Sequence, residues 1–244
     1  MGKLLNIGCG AKFHPEWVNV DINSTDPSVI NYDIRKGLPF PDKSFDAVYS
    51  SHLIEHLSEA EAGRLLKEMH RVLKRGGVCR IAVPDLEQIC KNYLFYLNEV
   101  KNGKVNSVFK YQYALLELFD QVTRNASGGE LGKLWLSGSI EDTDYVKSRH
   151  GKEAFCQNCG QGGSKNQNTP GNIKLYGRLK EKMYNSFLKL LLGEEKYRIL
   201  NEGIFRNSGE IHKKMYDQYS LIKLLNDYGF ENSAIDSPYE SKIT

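Results

Sequence analysis

The sequence predicts an α/β domain built on a mainly parallel sheet, with a mainly helical insertion. Three observations predict it. Leu4-Leu5-Asn6-Ile7 runs straight into Gly8-Cys9-Gly10, a strand that stops on two glycines. Short strand-like segments then alternate with helical or looped connections up to residue 85, the pattern of crossovers between parallel strands. From 86 to 210 the pattern becomes helical, and regular segments resume at 212. The expectation is one domain over residues 1–244, with residues 86–210 as a helical cap covering the functional edge of the sheet. A length of 244 residues with 40% hydrophobic content suits one such domain with a sizeable core.

The glycine pair sets the plan. Without a Cβ, the backbone turns sharply and lets a ligand approach at the carboxyl end of a parallel strand. Residues 17–22 read as the second strand, with Val18, Val20 and Ile22 on one face and Asp21 available to accept hydrogen bonds from ribose hydroxyls. In dinucleotide-binding folds that acid lies about 20 residues beyond the glycines. Here Asp21 follows Gly10 by 11 residues, Pro15 interrupts the segment between, and Phe13 stands where a third glycine would be. These features argue against NAD and limit the first crossover helix to one or two turns.

Residues 29–33 read as a third strand ending on Asp33, and the turn Leu38-Pro39-Phe40-Pro41-Asp42 leads to a fourth over 45–50. Ser51, His52, Glu55 and His56 then fall just past a strand's carboxyl end, where open α/β sheets bind ligands. Ser58 and Glu61 have the spacing of a capping box. Ala62, Leu65, Leu66, Met69, Val72 and Leu73 follow on one helical face, and Gly76-Gly77 is expected to end that helix. A fifth strand is expected over 78–83.

Within the insertion, residues 85–100, 105–123 and 174–192 read as helices, and the glycine-rich stretch 156–172 as a loop. Nine basic residues between Tyr145 and Lys189 face only Glu153 and Glu181. That excess fits either a solvated helical face or a site for an anionic substrate such as a sugar nucleotide. Arg124 fits a substrate grip or a structural salt bridge. After the insertion, residues 212–216 read as a strand, Ser220 as the cap of a helix ended by Gly229, and 232–236 as the last strand.

Composition excludes several classes. A net charge of +3 does not suggest nucleic acid. No apolar run approaches the roughly 20 residues of a membrane span. Five irregularly spaced cysteines, with no leader expected before the first strand, read as free thiols in a reducing cytoplasm. Cys156-x-x-Cys159 is a lone pair, short of the four ligands of structural zinc.

The segments taken together resemble the class I S-adenosylmethionine-dependent methyltransferases. The resemblance rests on Leu5-Asn6-Ile7-Gly8-Cys9-Gly10, Asp21, Asp33, Leu38-Pro39-Phe40-Pro41-Asp42, Ser44-Phe45-Asp46, Glu55-His56-Leu57 and Leu73-Lys74-Arg75-Gly76-Gly77. It covers residues 3–90. His212-x-x-Met215-Tyr216-Asp217 with Ser220-Leu221 and Gly229-Phe230 is similar to the end of bacterial methyltransferases from surface-polysaccharide and small-molecule gene clusters. The resemblance implies a Rossmann-like sheet of seven strands with the last antiparallel. It implies S-adenosylmethionine as cofactor, Gly8 and Gly10 beside its methionine part, Asp21 on the ribose and Asp33 at the adenine amino group; Ser51, just past the fourth strand, is also expected to bind the cofactor. The acceptor it implies is a saccharide or related small metabolite, methylated on oxygen or nitrogen.

Methyl transfer to a hydroxyl needs alignment and removal of a proton, which a histidine suits near neutral pH. His52 and His56 are the expected catalytic residues. His52-x-x-Glu55-His56 partly resembles the Glu-x-x-Glu-His element of metal-assisted O-methyltransferases, with His52 in place of the first glutamate. Magnesium prefers oxygen ligands, so no metal site is assigned. The competing expectations are a protein that keeps the fold only for binding or assembly, suggested by the short first crossover, and a nucleic-acid methyltransferase, against which the low charge counts.

Overall fold

The computed structural model describes residues 2–151, 171–237, 240, 241 and 243. Cys156, Cys159 and residues 156–170 of the glycine-rich stretch lie outside the described residues, as do Lys152, Glu153 and Lys165 and the side chains of Lys174, Arg178, Lys180 and Glu181. Five strands form one sheet: β1 (Leu4–Ile7), β2 (Val18–Asp21), β3 (Val29–Asn31), β4 (Phe45–Ser51) and β5 (Leu73–Ala82). Eight helices accompany them among the described residues: α1 (Glu59–Val72), α2 (Leu86–Lys101), α3 (Val108–Thr123), α4 (Gly129–Leu136), α5 (Thr143–His150), α6 (Gly171–Leu192), α7 (Glu194–Arg206) and α8 (Gln218–Asp227).

The strand order is β3-β2-β1-β4-β5, and every neighbouring pair is parallel. Reversal of direction at β1 puts the glycine turn at a topological switch point, where such sheets open a crevice. Leu5 pairs with Val18 and Val48, so these side chains share a face with Ile7 and Val20. That face packs against Leu65, Leu66, Met69 and Val72 of α1 and Leu221 of α8, all buried. Between β1 and β2 the chain makes turns without a helix, as Pro15 and the short spacing require.

Seven strands with an antiparallel last one were expected; the described residues give five, all parallel. Neither 212–216 nor 232–236 is a strand. The backbone groups of the first segment are committed elsewhere: His212 N donates to Gln121 O (2.9 Å) and Lys213 N to Glu55 O (2.7 Å). Only a single parallel bridge remains, between Tyr216 and Asp85. In the second segment Ile235 is exposed, so little apolar surface is available to hold a strand in register. The Arg80 guanidinium of β5 instead donates to the carbonyls of Ser237 and Glu240.

Two helix boundaries also differ from expectation. α1 stops at Val72, before Gly76-Gly77, because Lys43 N and Ser44 N take the carbonyls of Arg71 and Val72 (2.9 and 2.8 Å). The glycines lie inside β5, where pairing with β4 jumps from Leu73 opposite Phe45 to Val78 opposite Ala47. α8 is capped by Asp217, not Ser220; Ser220 is the third helical residue of a reciprocal capping box. The capping box of Ser58 and Glu61 is present as the spacing indicated.

Ser58 Oγ and N both donate to Glu61 Oε2 (2.6 and 2.8 Å) and hold that carboxyl down to about 2. A carboxyl depressed on folding contributes stability above its ordinary value of 4.5 and loses it as pH falls toward 2. Glu61→Gln should therefore be less stable than the parent at pH 7, by about 1 kcal/mol, the usual worth of such a cap. The gap should narrow between pH 4.5 and 2 in denaturant titrations; a gap independent of pH would show that the charge contributes nothing.

From 86 to 206 every regular element of the described residues is a helix. Tyr113, Leu131 and Val146 form a second buried cluster with Phe109, Leu134 and Trp135, separate from the sheet's core. Trp135 Nε1 donates to Tyr113 Oη across it (3.1 Å). Cys9, Cys79 and Cys90 are free thiols, and burial raises Cys9 to about 11 and Cys79 to about 12. Among the described residues no helix is long and apolar enough to cross a membrane.

Candidate functional site

β1 delivers the glycine turn. Gly8 and Gly10 have φ of +68° and +54°, the left-handed region that glycine enters without strain. A Cβ on Gly8 would lie 3.0 Å from both Leu53 methyls, whereas nothing lies within 4 Å of one on Gly10. The outer side of Gly10 is thus open space. Gly8 N donates to Val20 O (2.9 Å), and Gly10 N donates to Asp21 Oδ2 (2.8 Å). Asn23 N donates to the other oxygen (3.1 Å). Asp21 therefore braces the glycine turn, and each carboxylate oxygen keeps lone-pair capacity for a ribose hydroxyl.

Asp33 is engaged more fully. It caps the 3-10 turn Ile34–Lys36, and Arg35 grips it through Nε (2.8 Å) and Nη2 (2.9 Å). These bonds hold its carboxyl below the usual range. An adenine amino group meeting Asp33 would share a carboxylate already neutralised by a guanidinium.

β4 delivers the second half. Ser51 ends the strand opposite Ala82. His52 follows with φ of +52°, its N–H bonded to Ala82 O (2.9 Å). A non-glycine residue held there is a local strain that structures tolerate mainly where a side chain must point in a set direction. His52 is 66% exposed, yet its Nδ1 lies 3.3 Å from Oε1 of Glu55, which is 1% exposed. That is an ion-pair distance without hydrogen-bond alignment, and neither Glu55 oxygen has a hydrogen-bond partner.

His56 is half-buried, with Nδ1 3.2 Å from Ile211 O. A carbonyl can only accept, so Nδ1 carries the proton and Nε2 keeps its lone pair. Burial lowers the affinity of His56 for a second proton. The His212 ring stands edge-on to it, centroids 4.7 Å apart. His212 is buried, its Nδ1 has no partner, and burial followed by the neighbouring His56 lowers its pKa to about 4. One donor atom each from Glu55, His56 and His212 lies within 4.8 Å of the others.

The structure thus brings together His52, Glu55 and His56 at the end of β4, and adds His212, which the sequence suggested for a strand. His212 arrives because residues 210–214 are pinned on both sides. Glu55 O accepts from Lys213 N, Gln121 O of α3 accepts from His212 N, and the Arg124 guanidinium donates to Glu210 O. Arg124 therefore holds this segment in place. Asp85 caps α2 by accepting from Gln88 N (3.2 Å). The excess of basic residues is also partly structural, since Arg149 turns inward onto the buried Glu117. A shallow cleft of about 370 Å³ lies beside Asn6, Phe13, Trp17 and Tyr49; none of the expected cofactor or catalytic residues lines it.

Residues 5–81 match the family described as a methyltransferase domain. This amino-terminal part is similar to methyltransferase domains. The match spans β1 to β5 and includes the glycine turn, Asp21, Asp33, His52, Glu55 and His56. The ubiquinone/menaquinone biosynthesis C-methyltransferase UbiE of Pasteurella multocida is 28% identical over 117 residues, covering 45% of this chain and 41% of that protein. Its namesake in Citrobacter koseri is 28% identical over 127 residues, covering 49% and 48%. The chain spans less than half the length of these curated relatives. The solved structure of the YcgJ protein from Bacillus subtilis is 20% identical, covers 48% of this chain and 61% of that one, and has a TM-score of 0.28.

Proposed function

We propose that the chain transfers a methyl group from S-adenosylmethionine to a hydroxyl or amino group of a saccharide or related small metabolite. The observation that carries this reading is the contact between the two halves of the site. Both methyls of Leu53, the residue after His52, lie 3.0 Å from where a Cβ of Gly8 would be, so the cofactor turn and the segment that carries the candidate base are adjacent.

In this reading Gly8 and Gly10 admit the methionine part of the cofactor, Asp21 takes the ribose hydroxyls, Asp33 meets the adenine amino group alongside Arg35, and Ser51 borders the pocket. The sulfonium supplies an already activated methyl group. The chain's own task is to hold the acceptor atom within roughly 3–3.5 Å in line and to exclude water. His52 takes the acceptor's proton, and buried Glu55 steadies the imidazolium that forms. His56, neutral and fixed by Ile211 O, serves as the wall behind them. The helical segment 86–210 acts as the cap, a role supported by the ties from α3 to residues 210 and 212. The modest charge supports a small acceptor over nucleic acid, and the free thiols support a cytoplasmic setting.

A second reading is methylation of a ring carbon in a quinone-type acceptor, favoured by the similarity to UbiE C-methyltransferases. Incubation with isotope-labelled S-adenosylmethionine and panels of sugar nucleotides, amino and hydroxy metabolites and quinone precursors separates the two by mass spectrometry. Label on oxygen or nitrogen of a saccharide supports the first, and label on a ring carbon the second. No transfer to any panel, and no cofactor binding by calorimetry, would leave a methyltransferase-fold protein used for binding or assembly.

A further inference from the structure

We infer that Glu55, His56 and His212 form a binding site for a divalent transition-metal ion of the zinc type. Their donor atoms lie within 4.8 Å of one another. Metal–donor bonds of about 2.0–2.2 Å set donors roughly 3–4 Å apart, so small side-chain adjustments close the site. Two imidazoles and one carboxylate are a donor set for zinc or ferrous iron rather than for magnesium or calcium.

The buried atoms point the same way. Glu55 is 1% exposed and both its carboxylate oxygens lack hydrogen-bond partners. His212 is 3% exposed and its Nδ1 lacks one too. Buried polar groups are almost always satisfied, and the exposed His52 ring, 3.3 Å away without hydrogen-bond alignment, leaves both Glu55 oxygens without a hydrogen bond. A cation between them satisfies these atoms together. His56 is already arranged as metal-binding histidines are, with one ring nitrogen on a backbone carbonyl and the other free. Three protein donors leave a position for water or an acceptor oxygen.

The arrangement joins distant parts of the chain. Glu55 and His56 follow β4, and His212 comes from beyond the helical segment. The bond from Lys213 N to Glu55 O fixes the approach of the two at the backbone, so the site exists before an ion arrives. The inference does not rest on methyl transfer, because ion binding can be measured without cofactor or acceptor.

The test uses full-length chain stripped with a chelator, carrying Cys156→Ser and Cys159→Ser so that those thiols cannot bind the ion. Zinc is titrated by calorimetry, and cobalt(II) by its visible absorption. One equivalent per chain at micromolar or tighter affinity is expected. His212→Ala and Glu55→Gln should each weaken it by more than the roughly 10–100-fold that loss of an outer-shell support costs. His14→Ala, an exposed histidine elsewhere, should leave it unchanged. Circular dichroism checks folding, and Glu55→Gln preserves side-chain shape should His212→Ala fail to fold. No binding by the folded chain carrying Cys156→Ser and Cys159→Ser overturns the inference, as does undiminished binding by folded Glu55→Gln. Either negative result leaves the methyl-transfer reading to be judged separately by cofactor calorimetry and label transfer.

Discussion

Gly10→Val is expected to reduce S-adenosylmethionine affinity by at least about 100-fold while leaving the chain folded. Gly10 sits at φ of +54°, where an L-residue carries strain of roughly 1–2 kcal/mol. The strained chain would relax by moving the turn, and about 1.4 kcal/mol already corresponds to tenfold in affinity. The larger effect is steric. Nothing in the protein lies within 4 Å of the added Cβ, so the isopropyl group would occupy the space reserved for ligand rather than displace the core. Gly76→Val is the matched control. Gly76 also has positive φ, +76°, with nothing within 4 Å, but it lies in β5 away from the turn. Calorimetry should show lost binding for the first and retained binding for the second, with similar small losses in melting temperature. Equal affinities for Gly10→Val and the parent would remove the glycine turn from the cofactor site.

His52→Ala should lower turnover by about 10²–10⁴-fold, the usual contribution of a general base, with cofactor affinity little changed. Exposure brings the ring within reach of an acceptor, and the 3.3 Å contact with Glu55 offers compensation for the charge it gains. His56→Ala is the informative partner, because His56 is half-buried and bonded to Ile211 O. It should disturb turnover through the position of residues 211–212 rather than through proton transfer, and a bulky neutral replacement should recover part of the loss. No such replacement should rescue His52→Ala. Should His52→Ala keep its rate while His56→Ala alone fails, the base is His56. Two near-normal rates would show that the proton leaves by another route.

The parts of the fold read correctly from sequence are those whose signals are local. The strand ending on Gly8 and Gly10, the alternation of Val18 and Val20, and the Ser58–Glu61 spacing each declare themselves within a few residues. Errors arose where distant segments decide. Val72 ends α1 because the loop before β4 takes its carbonyl, 28 positions away in sequence at Ser44. Residues 212–216 were expected as a strand, but Gln121 and Glu55 claim the amides of His212 and Lys213 first. His212 joined the site through that same long-range pinning, and its only local trace was the His-x-x-Met-Tyr-Asp pattern. Asp33 is a different case. Arg35 stands two positions on, so its bidentate grip was available to a closer reading of Asp33-Ile34-Arg35.

The presence of two separate buried clusters bears on how the molecule unfolds. The sheet with α1 and α8 encloses one apolar interior, and α3, α4 and α5 enclose another around Tyr113. Bonds from residues 210–216 to Arg124, Gln121, Glu55 and Leu86 connect the helical segment to the sheet. Two separately packed interiors can open independently, giving separate classes of amide hydrogen exchange. The connecting segment 210–216 passes beside His56 and carries His212. Any ligand that bridges β4's end to His212 would therefore act as a weld, merging the two exchange classes into one cooperative unit.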